Sequence, residues 1–111
     1  MFDKTPDERL SVWSNFRKEL DHAEDPLLLL ADFWADAPQM PYYNRLDPRN
    51  PKKWPTPWEI IYSNKYDDFT LAVAMAYTLK LTPRFENDKI EVRSMVDNSK
   101  KHLYNLCLLY T

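Results

Sequence analysis

The sequence contains no glycine among its 111 residues, and this absence constrains the fold more than any motif does. An average chain of this length carries roughly eight glycines. Phosphate-binding loops, dinucleotide-binding fingerprints and nucleophile elbows all use glycine where the backbone needs a positive φ or approaches a ligand closely. The sequence therefore excludes these three kinds of site, and it points to a fold class more clearly than to a chemistry.

Composition and charge narrow the class of protein further. With 44% hydrophobic and 29% charged residues, the chain is expected to fold as one domain over residues 1–111. A net charge of −2 argues against a nucleic-acid partner, and a single cysteine excludes an intramolecular disulfide. The first residues lack an apolar signal core, and the longest apolar run, residues 27–31, is too short to span a bilayer. We therefore expect an intracellular protein with no membrane partner.

Helix-capping patterns dominate the first third of the chain. Thr5-Pro6-Asp7-Glu8 has the form of a capping box with proline at the first helical position, and Asp25-Pro26 begins a second helix by the same logic. Apolar residues recur at helical spacing after both starts. They are Leu10, Trp13, Phe16 and Leu20, then Leu27, Leu30, Ala31 and Trp34, with Phe33 beside them. Residues 1–37 are therefore predicted to form a pair of helices.

Proline and aromatic residues fill the next segment, residues 38–57. Prolines lower the entropy of the unfolded chain, whereas a flexible linker is rich in glycine and serine. Tyr42, Tyr43 and Trp54 give the segment apolar surface to bury. We therefore predict an ordered loop that wraps around the helices.

Two more helices are predicted over residues 58–81. Thr56-Pro57-Trp58-Glu59 repeats the capping-box form, and a short helix follows it. Asp67 or Asp68 then caps the longest helical pattern, residues 69–81. Its alanines allow neighbouring elements to approach closely, so this helix is predicted to be central and buried. Trp58 is predicted to lie in the core.

The hydrophobic period changes to two near the end of the chain. Residues 90–96 alternate between apolar and polar, which predicts a half-buried strand, and residues 103–110 predict a second strand that is apolar on nearly both faces. A loop at residues 97–101 joins them into a β-hairpin over residues 89–110. The predicted fold class is therefore α+β, with helices first and a small antiparallel sheet packed on the long helix.

The second strand also suggests how the protein acts. It has no charge and no proline after His102, and such an edge invites addition of a strand from another chain. We expect a protein partner or a homo-oligomer to complete it, unless the proline-rich loop covers it. The predicted partner-binding residues are Trp54, Tyr42, Tyr43, Tyr104, Leu106, Leu108 and Tyr110.

Two residues with nucleophile or base chemistry stand close together in that strand. Cys107 and His102 are five positions apart, so strand alternation places them on opposite faces. A cysteine between two leucines is typical of a buried small hydrophobe rather than an activated nucleophile. His22 is far away in sequence, and the three residues match no zinc-ligand spacing.

Acidic residues offer two further candidates. We interpret the pair Asp67-Asp68 as a helix cap rather than a metal site. Asp88, Glu91 and Arg93 are similar to the acidic strand of metal-dependent nucleases, although Arg93 stands where such sites carry lysine. Alternating charges on a strand are usually its solvent face. We therefore expect no catalytic residues, no cofactor and no metal.

Three strings in the sequence carry a resemblance to a known family. They are residues 54–61 (Trp-Pro-Thr-Pro-Trp-Glu-Ile-Ile), residues 66–70 (Tyr-Asp-Asp-Phe-Thr) and residues 74–79 (Ala-Met-Ala-Tyr-Thr-Leu). Together with Asp25-Pro26 and Phe33-Trp34, they resemble a family of short proteins encoded by contractile-tailed phages, notably those of marine cyanobacteria. The resemblance covers most of the chain and implies no particular activity.

A second, weaker resemblance concerns the order of elements. In papain-like and transglutaminase-like folds, a cysteine starts a buried helix, and a catalytic histidine begins the second of the strands that follow. Here His102 falls at that place, but Tyr66-Asp67-Asp68 stands where the cysteine would be, and the third strand with its acidic residue is missing. The resemblance therefore implies a non-catalytic, truncated relative, a pseudoenzyme.

These observations lead to one interpretation and two alternatives. The leading interpretation is a non-enzymatic, phage-encoded protein that binds other proteins in the host cytoplasm or the virion, as a structural or assembly component. The first alternative is a small regulator that binds a host protein during infection. The second is a metal-dependent nuclease or hydrolase.

Overall fold

The computed structural model describes residues 1–38, 50–97 and 102–110, with side chains described as far as Val92. The described residues form four α-helices: α1 (Pro6–Leu20), α2 (Pro26–Trp34), α3 (Pro57–Ser63) and α4 (Asp68–Lys80). Short 3-10 turns lie at Pro51–Lys53 and Pro83–Phe85. Two strands follow, β1 (Lys89–Asp97) and β2 (His102–Tyr110). The described part of the chain is thus mainly helical.

Each α-helix starts at the capping residue that the sequence indicates. The side chains of Thr5, Asp25, Thr56 and Asp67 each accept a hydrogen bond from a backbone N–H in the first turn of α1 to α4. The Asp67 carboxylate accepts from the Thr70 N–H at 2.7 Å, which accounts for one member of the acidic pair as a cap. A complete capping box, with reciprocal bonds between Thr56 and Glu59, holds α3.

The core is built largely from aromatic side chains. Phe16 of α1 and Phe33 of α2 are stacked, with ring centroids 3.8 Å apart. Trp34 meets the ring of Tyr66 edge-on at 5.5 Å, and Phe2 packs against both of them. Helix α4 lies across this cluster and buries most of its length, as predicted. Its buried residues are Phe69, Thr70, Ala72, Val73, Ala74, Thr78 and Leu79.

A buried arginine ties the N-terminal residues to the end of α3. The Arg9 guanidinium donates to the backbone carbonyls of Ile61 at 3.0 Å and Tyr62 at 2.7 Å, and also to the carbonyl of Lys4. Carbonyls at a helix end lack partners within the helix, so these bonds satisfy groups that would otherwise lose hydrogen bonds on burial. Arg9 therefore holds α1 and α3 together.

Asn64 ends α3 in the conformation that glycine usually provides. Its φ of 54° and ψ of 38° are left-handed, and its side-chain amide donates to the Phe2 carbonyl at 2.9 Å. Asparagine tolerates this region better than other residues with a Cβ. In this glycine-free chain, Asn64 is the one described residue with a positive φ.

The backbones of β1 and β2 pair antiparallel. The register runs from Lys89 opposite Tyr110 to Asp97 opposite His102. Ile90 and Val92 are half-buried and pack against the core. The predicted loop at residues 97–101 lies outside the described residues, except for Asp97. One pair of strands does not by itself establish the sheet that the predicted α+β fold requires.

The structure corrects three predictions about which apolar residues are buried. Trp58 is 52% exposed and does not belong to the core. In α2, Leu27 is 48% exposed and Ala31 is also exposed, so the buried stripe is formed by Leu30 and Trp34. The predicted stripe was therefore wrong at Leu27 and Ala31.

Candidate partner-binding surface

Trp54, the one predicted binding residue whose side chain the structure describes, is partly buried. Its ring meets Phe69 of α4 edge-on, with centroids 5.5 Å apart. It lines an open cavity of about 460 Å³ between the turn at Pro51–Lys53, α4 and β1. The wall is mainly apolar and is formed by Pro51, Trp54, Ala76, Tyr77, Ile90 and Val92, with Lys80 and Glu91.

The polar groups of this cavity already have partners within the chain. The Lys80 ammonium donates to the carbonyls of Glu86 and Asp88, at 2.8 and 3.4 Å, and Glu91 pairs with Lys89 at 2.9 Å. The Tyr77 hydroxyl donates to the Pro55 carbonyl at 3.1 Å. The cavity therefore offers apolar contact and shape rather than an unsatisfied charge.

The other predicted binding residues are described less fully. Tyr42 and Tyr43 lie outside the described residues. Tyr104, Leu106, Leu108 and Tyr110 lie in β2, opposite Met95, Arg93, Glu91 and Lys89 in the backbone register. Their prediction as a binding surface stays a prediction.

An exposed aromatic pair lies on α3, where the sequence predicted a core residue. Trp58 is 52% exposed and Tyr62, one helical turn later, is 62% exposed. We call these two residues the α3 aromatic face. Contiguous exposed aromatic surface of this kind is typical of protein interaction sites, in which tryptophan and tyrosine are enriched.

The geometry of a short helix explains why this face points outward. At 100° per residue, Trp58 and Tyr62 lie about 40° apart around the helix axis. Ile60 and Ile61 are buried, and both aromatic residues lie more than about 100° from the midpoint of these two. A helix of seven residues cannot bury four large apolar side chains on one face, so the two isoleucines occupy the core side.

Trp13 of α1 supports the α3 aromatic face from below. The Trp58 ring meets the buried Trp13 ring edge-on, with centroids 6.4 Å apart. The Trp13 indole N–H donates to the Thr78 hydroxyl at 3.0 Å, and that hydroxyl donates to the Ala74 carbonyl at 2.7 Å. Trp58 therefore rests on a residue that α4 holds in place.

Arg17 of α1 also contacts the Trp13 ring. Its guanidinium carbon is 4.3 Å from the centroid of the Trp13 ring, at cation–π distance. Burial lowers the pKa of Arg17, but an arginine stays charged in proteins at any ordinary pH. The surface around Trp13 thus combines exposed aromatic area with one cation.

Hydrogen bonding and burial shift the pKa of three groups near these elements. The backbone N–H of Thr56 donates to the exposed Glu59 carboxylate and lowers its pKa. Burial raises the pKa of the Tyr66 phenol, and the Arg9 charge opposes this in part. Burial also raises the pKa of Tyr77, and the Glu59 charge adds to this. Each shift follows from a cap or from core packing.

The residues considered for catalysis are described only in part. Glu91 pairs with Lys89, while the side chain of Arg93 is outside the described set. In the part of the chain with described side chains, no group of three His, Cys, Asp or Glu residues lies close enough to hold a metal ion. His102 and Cys107 lie opposite Asp97 and Val92 in the register, and only their backbone is described.

One signal in the sequence indicates the α3 aromatic face. Four of seven positions in α3 carry Trp, Ile, Ile and Tyr, and the helix lies between a capping box and an asparagine that stops it. Such a short helix carries more apolar surface than one face can bury. Counting apolar residues against helix length would have indicated that some of them are exposed.

Comparison of the chain with protein-family models, with curated proteins and with solved structures finds no match. No helix among the described residues combines the length and the apolar character that a membrane crossing requires. Among the described residues, the α3 aromatic face is the candidate site.

Proposed function

We propose that this protein acts by binding another protein, without catalysis of its own, and that the α3 aromatic face is the contact surface. The main support for this proposal is that Trp58 and Tyr62 are each more than half exposed, although their helix is fixed on the core. A few aromatic residues at the centre of an interface commonly supply most of its binding free energy.

The rigidity of the site supports this proposal. The Thr56–Glu59 capping box fixes the start of α3, and Arg9 binds the carbonyls at its end. Trp13 lies beneath Trp58 and is held by Thr78. A preorganised face loses little conformational entropy on binding, so more of the contact energy contributes to affinity.

The setting that we propose comes from the sequence resemblance to proteins of contractile-tailed phages. In that setting the chain is a structural or assembly component of the virion, and its partner is another virion or assembly protein. Presence of the chain in purified particles at a fixed copy number supports this role. Presence in infected cells only would instead support the small regulator that binds a host protein.

We also propose that the chain belongs to the α+β class, with β1 and β2 as its sheet. In this proposal the residues predicted from the sequence act as a second contact region. They are Trp54, Tyr42, Tyr43, Tyr104, Leu106, Leu108 and Tyr110. The apolar cavity beside Trp54 supports this extension, since a partner's apolar side chain fits such a surface.

Site-specific photo-crosslinking in cells that make the protein tests the proposed function. A photoreactive phenylalanine analogue replaces Tyr62 in one variant and Leu28 in a control, because Leu28 is 57% exposed on α2. We expect one discrete crosslinked protein from position 62 and none of that size from position 28. Equal crosslinking from both positions, or none from position 62, contradicts the proposal.

A further inference from the structure

Arg17 differs from the other arginines whose side chains are described. The guanidinium of Arg9 donates to three carbonyls, and that of Arg84 donates to the Ala23 carbonyl at 2.6 Å. The Nε of Arg17 is buried and has no hydrogen-bond partner among the described atoms. Within the same part of the chain, no ion pair to a carboxylate satisfies this guanidinium.

The position of Arg17 indicates where a carboxylate partner would bind. Its guanidinium lies over the Trp13 ring, and the Trp58 ring packs against the same ring at an interplanar angle of 84°. The cation and the α3 aromatic face therefore share one support, the Trp13 ring. A charge that is partly removed from water and lacks a carboxylate gains free energy when a binding partner supplies one.

We infer that the segment recognised by this surface is acidic, with a carboxylate that binds Arg17 next to an apolar or aromatic side chain that packs on Trp58 and Tyr62. This inference rests on the proposed function and names the chemistry of its partner. Because the Nε is buried, the carboxylate binds the two terminal Nη groups, for which no hydrogen bond is seen among the described residues. The planar guanidinium can make these two parallel hydrogen bonds while its face stays stacked on the indole.

Charge complementarity distinguishes this occupant from two others. A second copy of the chain would bring its own Trp58 and Arg17, and two cations facing each other repel. A single-stranded nucleic acid also combines phosphates with stackable bases, but the chain's net charge of −2 opposes a polyanion. A short acidic and apolar protein segment satisfies both the aromatic face and the isolated cation.

Selection from a displayed library of random peptides tests the inference. Peptides are selected on the wild-type protein and depleted on Trp58→Ala, so the survivors depend on the α3 aromatic face. We expect the survivors to be enriched in Asp or Glu next to Leu, Phe or Trp. The best peptide is then synthesised, together with a version in which each Glu is replaced by Gln and each Asp by Asn.

Binding of these two peptides is measured by fluorescence anisotropy against protein variants of matched design. We expect Arg17→Gln, and likewise the neutralised peptide, to weaken binding by about tenfold or more, which is the effect of one charged hydrogen-bonded pair. Lys18→Gln, a change at the exposed neighbour on α1, should leave binding within about twofold of wild type, because exposed ion pairs contribute little. Thermal melting confirms that each variant is folded.

The outcomes separate the inference from the function on which it rests. If the Trp58-dependent peptides are neutral or basic, or if they bind Arg17→Gln as tightly as wild type, the inference of an acidic partner is overturned. The proposal that the protein binds another protein is then unaffected. No Trp58-dependent survivors at all overturn both. The inference is also overturned if the wild-type chain self-associates and Trp58→Ala abolishes this. It is likewise overturned if an oligothymidylate binds more tightly than the best peptide.

Discussion

Trp13 and Trp58 touch each other, yet their surroundings differ. Trp13 is 1% exposed and its N–H is hydrogen-bonded, whereas half of the Trp58 surface faces solvent. Both stand in apolar patterns of helices, and residue type alone does not distinguish them. What distinguishes them is which side of a helix meets α4, and a single local pattern does not reveal this.

The first prediction compares alanine substitutions of these two tryptophans. Trp13→Ala is expected to lower the free energy of unfolding by about 3–5 kcal/mol, since it removes a buried aromatic ring and leaves a cavity. Trp58→Ala is expected to cost about 1 kcal/mol, because its ring is only half-buried. Denaturant unfolding monitored by circular dichroism measures both. A larger loss for Trp58→Ala than for Trp13→Ala would contradict the assigned burial.

The second prediction concerns the buried phenol of Tyr66. Burial raises its pKa above the unfolded value of about 10, so the fold favours the neutral form. The associated stability is present below about pH 10 and is lost as the pH rises toward the folded pKa. Between about pH 8 and about pH 11, we expect the free energy of unfolding of Tyr66→Phe to fall by about 1 kcal/mol less than that of wild type.

The matched control for this prediction is Tyr62→Phe, because Tyr62 is 62% exposed. It should leave the alkaline loss of stability unchanged. At neutral pH, Tyr66→Phe should be as stable as wild type, since the Tyr66 hydroxyl is buried without a hydrogen-bond partner among the described atoms. Equal pH profiles for Tyr66→Phe and wild type would show that the phenol is accessible to water.

At the scale of elements, the start of each helix follows from local chemistry. Thr5, Asp25, Thr56 and Asp67 accept backbone hydrogen bonds within one turn, so a few neighbouring residues are enough to predict these starts. Burial depends instead on contacts between elements. The stripe predicted for α2 included the exposed Leu27, and the pattern of α3 did not reveal that Ile60 and Ile61 exclude Trp58 from the core.

The third prediction tests the capping box of α3. Thr56→Val keeps the shape of the side chain but removes the hydroxyl that accepts from the Glu59 N–H at 3.2 Å. We expect a loss of about 1 kcal/mol in the free energy of unfolding. Ser63→Ala, at the other end of the same helix, is the control, since the exposed Ser63 hydroxyl bonds only to a carbonyl in its own turn. A Thr56→Val variant as stable as Ser63→Ala would contradict the role of the cap.

The fourth prediction uses the pKa of Glu59 in the same box. Hydrogen bonding from Thr56 lowers this pKa below the unfolded value of about 4.3. The stabilisation is therefore present above about pH 4.3 and is lost as the pH falls through the folded pKa. Between about pH 6 and about pH 3, we expect the free energy of unfolding to fall less in Glu59→Gln than in wild type. Parallel acid profiles would contradict it.

At the scale of the whole molecule, α1 and α3 are joined by one buried side chain, while α4 supplies most of the core. Arg9 binds Lys4, which is five positions before it, and also Ile61 and Tyr62, which are 52 and 53 positions after it. No local sequence pattern predicts this contact, because a charged residue in a helix normally faces solvent. The candidate site was missed for a related reason, since it is formed where α3 lies across α1.

The fifth prediction concerns this link. Arg9→Met fills a similar volume but leaves the carbonyls of Ile61 and Tyr62 without their donor. We expect the free energy of unfolding to fall by about 2–3 kcal/mol, the cost of losing hydrogen bonds to a buried charged group. Lys18→Met on the exposed side of α1 should change stability by less than about 0.5 kcal/mol. Equal effects of the two substitutions would contradict the link.

The central claim is that the α3 aromatic face binds a protein partner, and the size of the native complex tests it most directly. Sedimentation of extracts from cells that naturally make the protein separates complex from monomer. Trp58→Ala/Tyr62→Ala is compared with Leu27→Ala/Leu28→Ala, which truncates two α2 residues of similar fractional exposure. Wild type and the α2 variant should sediment in the same large complex, and the α3 variant should sediment as the monomer. An α3 variant that is folded and stays in the large complex would contradict the account.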